Sequence, residues 1–163
     1  MSSQPETVNC VTLRHVVATV AYRAAKVLRG APAAFATLRL TEGSRTPAAI
    51  LVHTGDLLEW ALRLARGERE WRPAEPLPWP AECDRFFAAL AALDAFLASE
   101  PALGLPADRL FQGPLSDALT HVGQLAMLRR LAGSPVRGEV MIRADVVAGR
   151  VGPDQSPPFR EFD

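Results

Sequence analysis

Proline and glycine residues divide this chain into four stretches that are each long and apolar enough to form one buried helix. These stretches are residues 12–29, 46–66, 80–99 and 113–132. In each of them, apolar residues recur at the spacing of one helix face. Four amphipathic helices within 163 residues predict an all-α fold, and specifically a four-helix bundle.

The second stretch carries the clearest helix signals. Thr46 is a favourable N-cap residue, and Pro47 falls at the first helical position, where proline is tolerated. An apolar stripe that includes His53 follows at helical spacing. Gly67 suits the left-handed backbone conformation that closes many helices. We therefore predict a helix over residues 46–66.

The links between the stretches predict how the helices are connected. Trp71–Pro80 holds four prolines and cannot be helical, so it is interpreted as an extended crossover that runs over the surface. A crossover of this length lets the second and third helices run parallel. The shorter link from the third to the fourth helix favours an antiparallel pair.

The last part of the chain has a different composition. Glu139–Val147 is rich in valine and isoleucine, and it is either a short strand or one more helical turn. We predict that residues 136–163 form a short C-terminal extension packed on the bundle. The whole chain, 1–163, is predicted to be a single domain.

Charge and composition argue against several classes of function. Eighteen basic and eighteen acidic residues leave no net charge, which disfavours nucleic-acid binding. The longest apolar run, Phe86–Leu93, is much shorter than the roughly 20 residues of a bilayer span. The start, MSSQPETVNC, lacks the pattern of a signal peptide. Cys10 and Cys83 are far apart, which fits a reducing, cytoplasmic location.

His53 is the most unusual of the three histidines because it falls inside an apolar stripe. An imidazole at such a position must satisfy both ring nitrogens. A metal ion can take one nitrogen while a hydrogen-bond acceptor takes the other. The alternative is a buried histidine that is bonded only to a neighbouring residue.

Asp117 and His121 are four residues apart on the fourth predicted helix, so their side chains share one face and can meet a single ion. The alternative is an ordinary Asp–His pair on a helix surface. Together with His53, the pair forms a candidate set of two histidines and one carboxylate. Such a set suits divalent zinc, nickel, iron or manganese and leaves positions open for water or substrate.

Two further residues are candidates for supporting roles. Gln124 follows His121 by three residues and can hydrogen-bond a ligand on the same helix face. His15 falls beside the apolar stripe of the first helix. We interpret it as an edge histidine, and the alternatives are a fourth metal ligand or a hydrogen-bond partner of a ligand.

At these residues the chain resembles the DinB-like family of metal-dependent proteins, also called DinB/YfiT-like. The segment RTPAAILVHTGDLLEWALRLARGE resembles the family's second helix, with His53 at a metal-ligand position. The segment DALTHVGQLAMLRRLAGSPV resembles the fourth helix, where the final ligand, here His121, precedes a Gly-Gln pair. The ending GEVMIRADVVAGRVGPDQ resembles the C-terminal segment of one subgroup, and the likeness spans about residues 13–152.

The resemblance implies a bundle of up-down-down-up topology, often a homodimer, with a metal ion between the helices. It also implies a third ligand four residues before the last one, and that ligand is usually histidine. Asp117 stands at this position. A carboxylate there still binds metal but favours harder ions than a third histidine does.

Our leading functional hypothesis is therefore a divalent-metal enzyme, either a transferase that uses a low-molecular-weight thiol or a hydrolase. Arg45 or Arg143 would hold a substrate carboxylate. The first alternative is a non-catalytic metal-binding or stress-response module. The second is a dimeric bundle whose metal site is degenerate.

Overall fold

The computed structural model describes residues 4–163, with side chains from residue 9 onward, and its fold is mostly helical. The long helices are α1 (Gln4–Leu28), α2 (Pro47–Ala65), α3 (Trp79–Ala98) and α5 (Ser116–Leu131). The short helix α4 (Ala107–Leu110) precedes α5, and two-residue strands β1 (Gly138–Glu139) and β2 (Glu161–Phe162) lie near the end. The predicted all-α class is confirmed. The first residues of MSSQPETVNC and of the predicted domain, 1–3, lie outside the described part.

Helix α2 forms as its sequence signals predict. The Thr46 hydroxyl accepts a hydrogen bond from the backbone N–H of Ala49 at 3.1 Å, which satisfies one of the free donors of the first turn. Pro47 is the first helical residue. Gly67 follows the helix with a φ of 89°, a conformation in which a side chain would be strained.

Two predicted helix starts are wrong. Helix α1 begins at Gln4 instead of near residue 12, and Pro5 falls in its first turn, where the missing N–H needs no partner. The helical path that ends in α5 begins at Ala107 instead of near Gly113. Pro114 does not start a helix, because a π-helical turn over Phe111–Leu115 carries the chain past it with a kink at Gly113.

The long helices pack around a shared apolar core. Helix α1 contacts α3 and α5, and helix α2 contacts the same two helices. The largest fully buried side chains include Phe35, Leu51, Leu58, Phe86, Leu90, Leu93 and Leu125. Within the described part of the chain, no helix is both long and apolar enough to span a membrane.

The segment between α2 and α3 contains neither helix nor strand, as its prolines predict, and most of it is exposed. Two buried carboxylates nevertheless attach it to the helices. Asp56 accepts a hydrogen bond from the Ala74 N–H at 3.1 Å, and Glu82 accepts one from the Leu77 N–H at 3.1 Å. This attachment sets the position of Trp71, which lies in the same segment.

The C-terminal residues lie against the helices. Strands β1 and β2 pair antiparallel, and a short 3-10 turn follows over Met141–Arg143, so Glu139–Val147 contains part of a strand and a helical turn. The Tyr22 hydroxyl donates a 2.7 Å hydrogen bond to the buried Glu139 carboxylate. Val151 is also buried. These contacts dock the segment on α1.

Candidate metal centre

Helices α2 and α5 bring His53, Asp117 and His121 together. One potential ligand atom from each residue lies within 4.8 Å of the other two. His53 is in the second turn of α2, while Asp117 and His121 are one turn apart at the start of α5. The spacing seen in the sequence placed the last two on one helix face. Only the packing of α2 against α5 adds His53.

The His121 ring is oriented by a neighbour on its own helix. Its Nδ1 atom is 3.0 Å from Oε1 of Gln124, and its Nε2 atom is 3.4 Å from Oδ1 of Asp117. Because the amide oxygen of Gln124 faces Nδ1, a neutral His121 carries its proton on Nδ1. The Nε2 lone pair then faces the Asp117 carboxylate. Two acceptors that face each other need a cation or a second proton between them. A divalent ion meets this requirement.

His53 is half-buried and held neutral. Burial is the main cause that lowers the pKa of His53 below its ordinary value, and the positive charge of Arg45 acts in the same direction. Its ring meets the His121 ring edge to face, with 4.9 Å between the ring centroids. A neutral imidazole keeps a lone pair available, which is the form that binds metal ions.

The three residues therefore form a set that can hold a metal ion. Nitrogen and carboxylate ligands bind first-row divalent ions at about 2.0–2.2 Å, which places the donors of one ion no more than roughly 4.4 Å apart. The observed limit of 4.8 Å is a few tenths of an ångström larger. Asp117 is the most exposed of the three, with 48% of its side-chain surface accessible.

Two tryptophans cover the His53 side of this centre. Trp71 lies over His53 with 5.8 Å between ring centroids, and Trp60 meets Trp71 edge to face at 5.5 Å. Trp71 comes from the proline-rich segment, so no helical spacing linked it to the histidine. Trp79 packs against Phe35, as a packing group should.

Two open cavities flank the centre. A cavity of about 430 Å³ adjoins Asp117, and it is lined by Trp60 and by the kink residues Gly113 and Pro114. A second cavity of about 360 Å³ is lined by Gln124 and Arg45 among mostly apolar side chains. A small molecule can therefore reach the carboxylate from one side and the glutamine from the other.

The other residues singled out in the sequence have different positions. Arg45 is exposed, but its charge acts on His53, so it lies on the approach to the centre. His15 is exposed on α1 and is not among the clustered ligands. The structure does not bring Arg143 to the centre either, because its guanidinium stacks on Phe159 with 4.4 Å to the ring centroid.

Cys83 is the more exposed of the two cysteines, and its surroundings disfavour the nucleophilic thiolate form. Burial on α3, together with Asp84 and Glu82, raises the pKa of the Cys83 thiol to about 11. We expect it to react with iodoacetamide at pH 8 about 100-fold more slowly than an unperturbed thiol. Peptide mapping by mass spectrometry measures this rate, and the urea-unfolded protein is the control. Rapid alkylation in the folded protein would contradict the expectation.

No protein-family model matches the chain, and comparison with curated proteins and with solved structures gives no significant match. The likeness to DinB-like proteins therefore remains a prediction that rests on the sequence motifs.

Proposed function

We propose that this chain is a divalent-metal enzyme of the DinB-like type. In this proposal, the four long helices form an up-down-down-up bundle, and His53, Asp117 and His121 bind one zinc, nickel, iron or manganese ion between α2 and α5. The observation that carries the proposal is the convergence of these ligand atoms within 4.8 Å. The 3.4 Å approach of His121 Nε2 to Asp117 Oδ1 belongs to the same convergence, and a cation between these two atoms would satisfy both of them.

The proposed reaction is a thiol-dependent transfer or a hydrolysis. A bound divalent ion would supply Lewis acidity, which converts a water molecule or a thiol into a nucleophile at neutral pH. Gln124 would hold His121 in the tautomer that presents Nε2. Trp71 would shield His53 from bulk water. Arg45 would hold a substrate carboxylate, since an arginine pairs with both oxygens of such a group.

The quaternary structure and location belong to the same proposal. Leu40, Met127 and Leu131 are large exposed apolar residues that line the cavity beside Gln124. A homodimer that covers this patch would bury them. A small thiol substrate and two well-separated cysteines both fit the reducing cytoplasm.

The exposure of Asp117 favours a second candidate, a dimeric bundle with a degenerate metal site. A side chain that is 48% exposed can also be an ordinary helix-surface residue. A related alternative keeps the ion but not the turnover, as a metal-binding or stress-response module. That version predicts a closed coordination sphere with no exchangeable water in a cobalt-substituted protein.

Metal binding is tested on protein purified without a metal-affinity tag. We expect elemental analysis and titration with each of the four ions to give about one ion per chain for at least one of them. His53→Ala and His121→Ala are each expected to weaken binding at least about 100-fold, because two donors cannot hold the ion as three do. Asp117→Asn is expected to have a smaller effect, about 10- to 100-fold.

His15→Ala is the matched control, since it removes an exposed histidine that is not in the cluster. It should bind the ion as tightly as the parent. Absence of binding by the parent with all four ions would contradict the proposal and leave the degenerate bundle. Equal affinity in the parent and His121→Ala would show that the ion binds elsewhere.

A further inference from the structure

A separate cavity of about 480 Å³ lies between α1, α5 and the C-terminal segment. It is larger than either of the two cavities that flank the candidate metal centre, and its volume is in the range of small-molecule binding sites. Helix α5 lines it with a stripe at helical spacing that includes Leu119, Val122, Ala126 and Arg130. None of the three clustered metal ligands lines it. Helix α5 therefore presents one face to the candidate metal centre and another to this cavity.

The interior of this cavity is mostly apolar. Val27 and Val122 are buried at its base, and Met141 and Phe162 contribute from the C-terminal segment. Gly123 leaves space in the wall, because a Cβ atom built there would meet nothing within 4 Å. An apolar molecular body fits such a lining, since transfer of that body from water is favourable.

Some of the charged side chains in the lining form ion pairs, and two of them do not. Lys26 pairs with Glu139 at 3.2 Å and with Glu161 at 2.7 Å, and Arg137 pairs with Asp163 at 3.1 Å. Arg23 and Arg130 also line the cavity, and neither has an ion pair with another described side chain. Two guanidinium groups are therefore available at an apolar cavity, and guanidinium is the best side-chain partner for carboxylates.

Glu139, the acidic residue in the lining, does not prevent an anion from binding. The Glu139 carboxylate accepts hydrogen bonds from the Tyr22 hydroxyl, Lys26 and the Phe159 N–H, at 2.7, 3.2 and 3.1 Å. Lys26 and Arg137 together face the carboxylates of Glu139, Glu161 and Asp163, so Arg23 and Arg130 leave a small positive excess around the cavity. These bonds also hold the C-terminal segment in place as one wall of the cavity.

We propose that this cavity binds a small amphipathic organic anion, with an apolar body against Val27 and Val122 and a carboxylate at Arg23 and Arg130. The site does not depend on metal binding. Its test can therefore succeed or fail independently of the test of the proposed function.

The test uses 8-anilinonaphthalene-1-sulfonate, a fluorescent amphipathic anion, as the probe of the whole folded chain. Octanoate, octylamine and octan-1-ol then compete for the probe. We expect octanoate to displace it at a concentration at least about 10-fold lower than the amine or the alcohol, because only octanoate pairs with the arginines. Equal competition by octanoate and the alcohol would overturn the proposal.

Two variants localise the binding. The double variant Arg23→Gln/Arg130→Gln is expected to bind octanoate at least about 10-fold more weakly. Arg109→Gln removes an exposed arginine that does not line the cavity, and it should leave the affinity unchanged. Equal weakening in both variants would mean that only net charge matters, which would overturn the site.

Gly123→Leu adds a side chain to the cavity wall at a position where a Cβ atom meets no neighbour within 4 Å. We expect it to weaken probe and octanoate binding at least about 10-fold, while Tm stays level or rises because glycine is costly inside a helix. Ala92→Leu adds the same exposed apolar side chain on α3 as a control. Unchanged binding in Gly123→Leu would place the probe elsewhere. A changed oligomeric state in that variant would mean that a second copy covers the cavity. Either result overturns the proposal.

Discussion

Replacing Arg85 with methionine is expected to lower the free energy of unfolding by about 3–5 kcal/mol. Arg85 belongs to α3, and its guanidinium reaches α2. Its side chain is only 14% exposed. Its guanidinium donates to Asp56 Oδ1 at 2.9 Å, to Glu82 Oε1 at 2.7 Å and to the Val52 carbonyl at 2.8 Å. The Asp56 and Glu82 side chains are 5% and 0% exposed. The substitution leaves both carboxylates buried without their counter-ion.

The expected loss of stability arises because the charges of the Asp56 and Glu82 carboxylates remain buried, and not only because their ion pairs with Arg85 are broken. Taking a carboxylate out of water is expensive, and the attraction of Arg85 offsets that expense only while the arginine is present. Urea denaturation followed by far-UV circular dichroism measures the change. Adding Glu82→Gln to Arg85→Met should recover part of the loss, because a neutral amide is cheaper to bury than a carboxylate.

Arg72→Met is the matched control. Arg72 also bonds a carboxylate, that of Glu70, but these side chains are 60% and 65% exposed. An exposed pair of this kind contributes only about 0–1 kcal/mol. A loss below about 1 kcal/mol for Arg85→Met would contradict the expectation, because it would mean that water reaches the two carboxylates.

The second large effect is stabilisation by metal. A ligand that binds only the native state at 100 times its Kd adds about 2.7 kcal/mol, which for a chain of this length raises Tm by about 5–10 °C. We expect this rise when the metal-free protein is scanned with the ion that binds best. In His121→Ala the same concentration of that ion should raise Tm by no more than about 1–2 °C, because loss of the imidazole next to Asp117 and Gln124 weakens binding at least about 100-fold.

His15→Ala again serves as the control and should show the full rise. Chelation should reverse the rise in the parent. A rise of equal size in His121→Ala would contradict the assignment, since it would mean that the ion stabilises the fold from another site. The ion must be added as a chloride at constant ionic strength, so that general screening of charges does not contribute.

The sequence alone determined the features that depend on neighbours along the chain. The N-cap at Thr46, the end at Gly67 and the exclusion of helix from the proline-rich segment follow from backbone sterics and hydrogen bonding within a few residues. The placement of Asp117 and His121 on one face follows in the same way from the helical repeat. These local rules do not need the rest of the molecule.

The tertiary structure decided everything that joins distant residues. The contact of Trp71 with His53 depends on where buried Asp56 and Glu82 hold an irregular segment. The kink that passes Pro114 is compatible with a continuing helix only because the surrounding core holds the chain on both sides of it. The cavity with Arg23 and Arg130 exists because the C-terminal segment docks beside α1 and α5. Such contacts are set by packing between elements, and periodicity along one element carries no information about its partner.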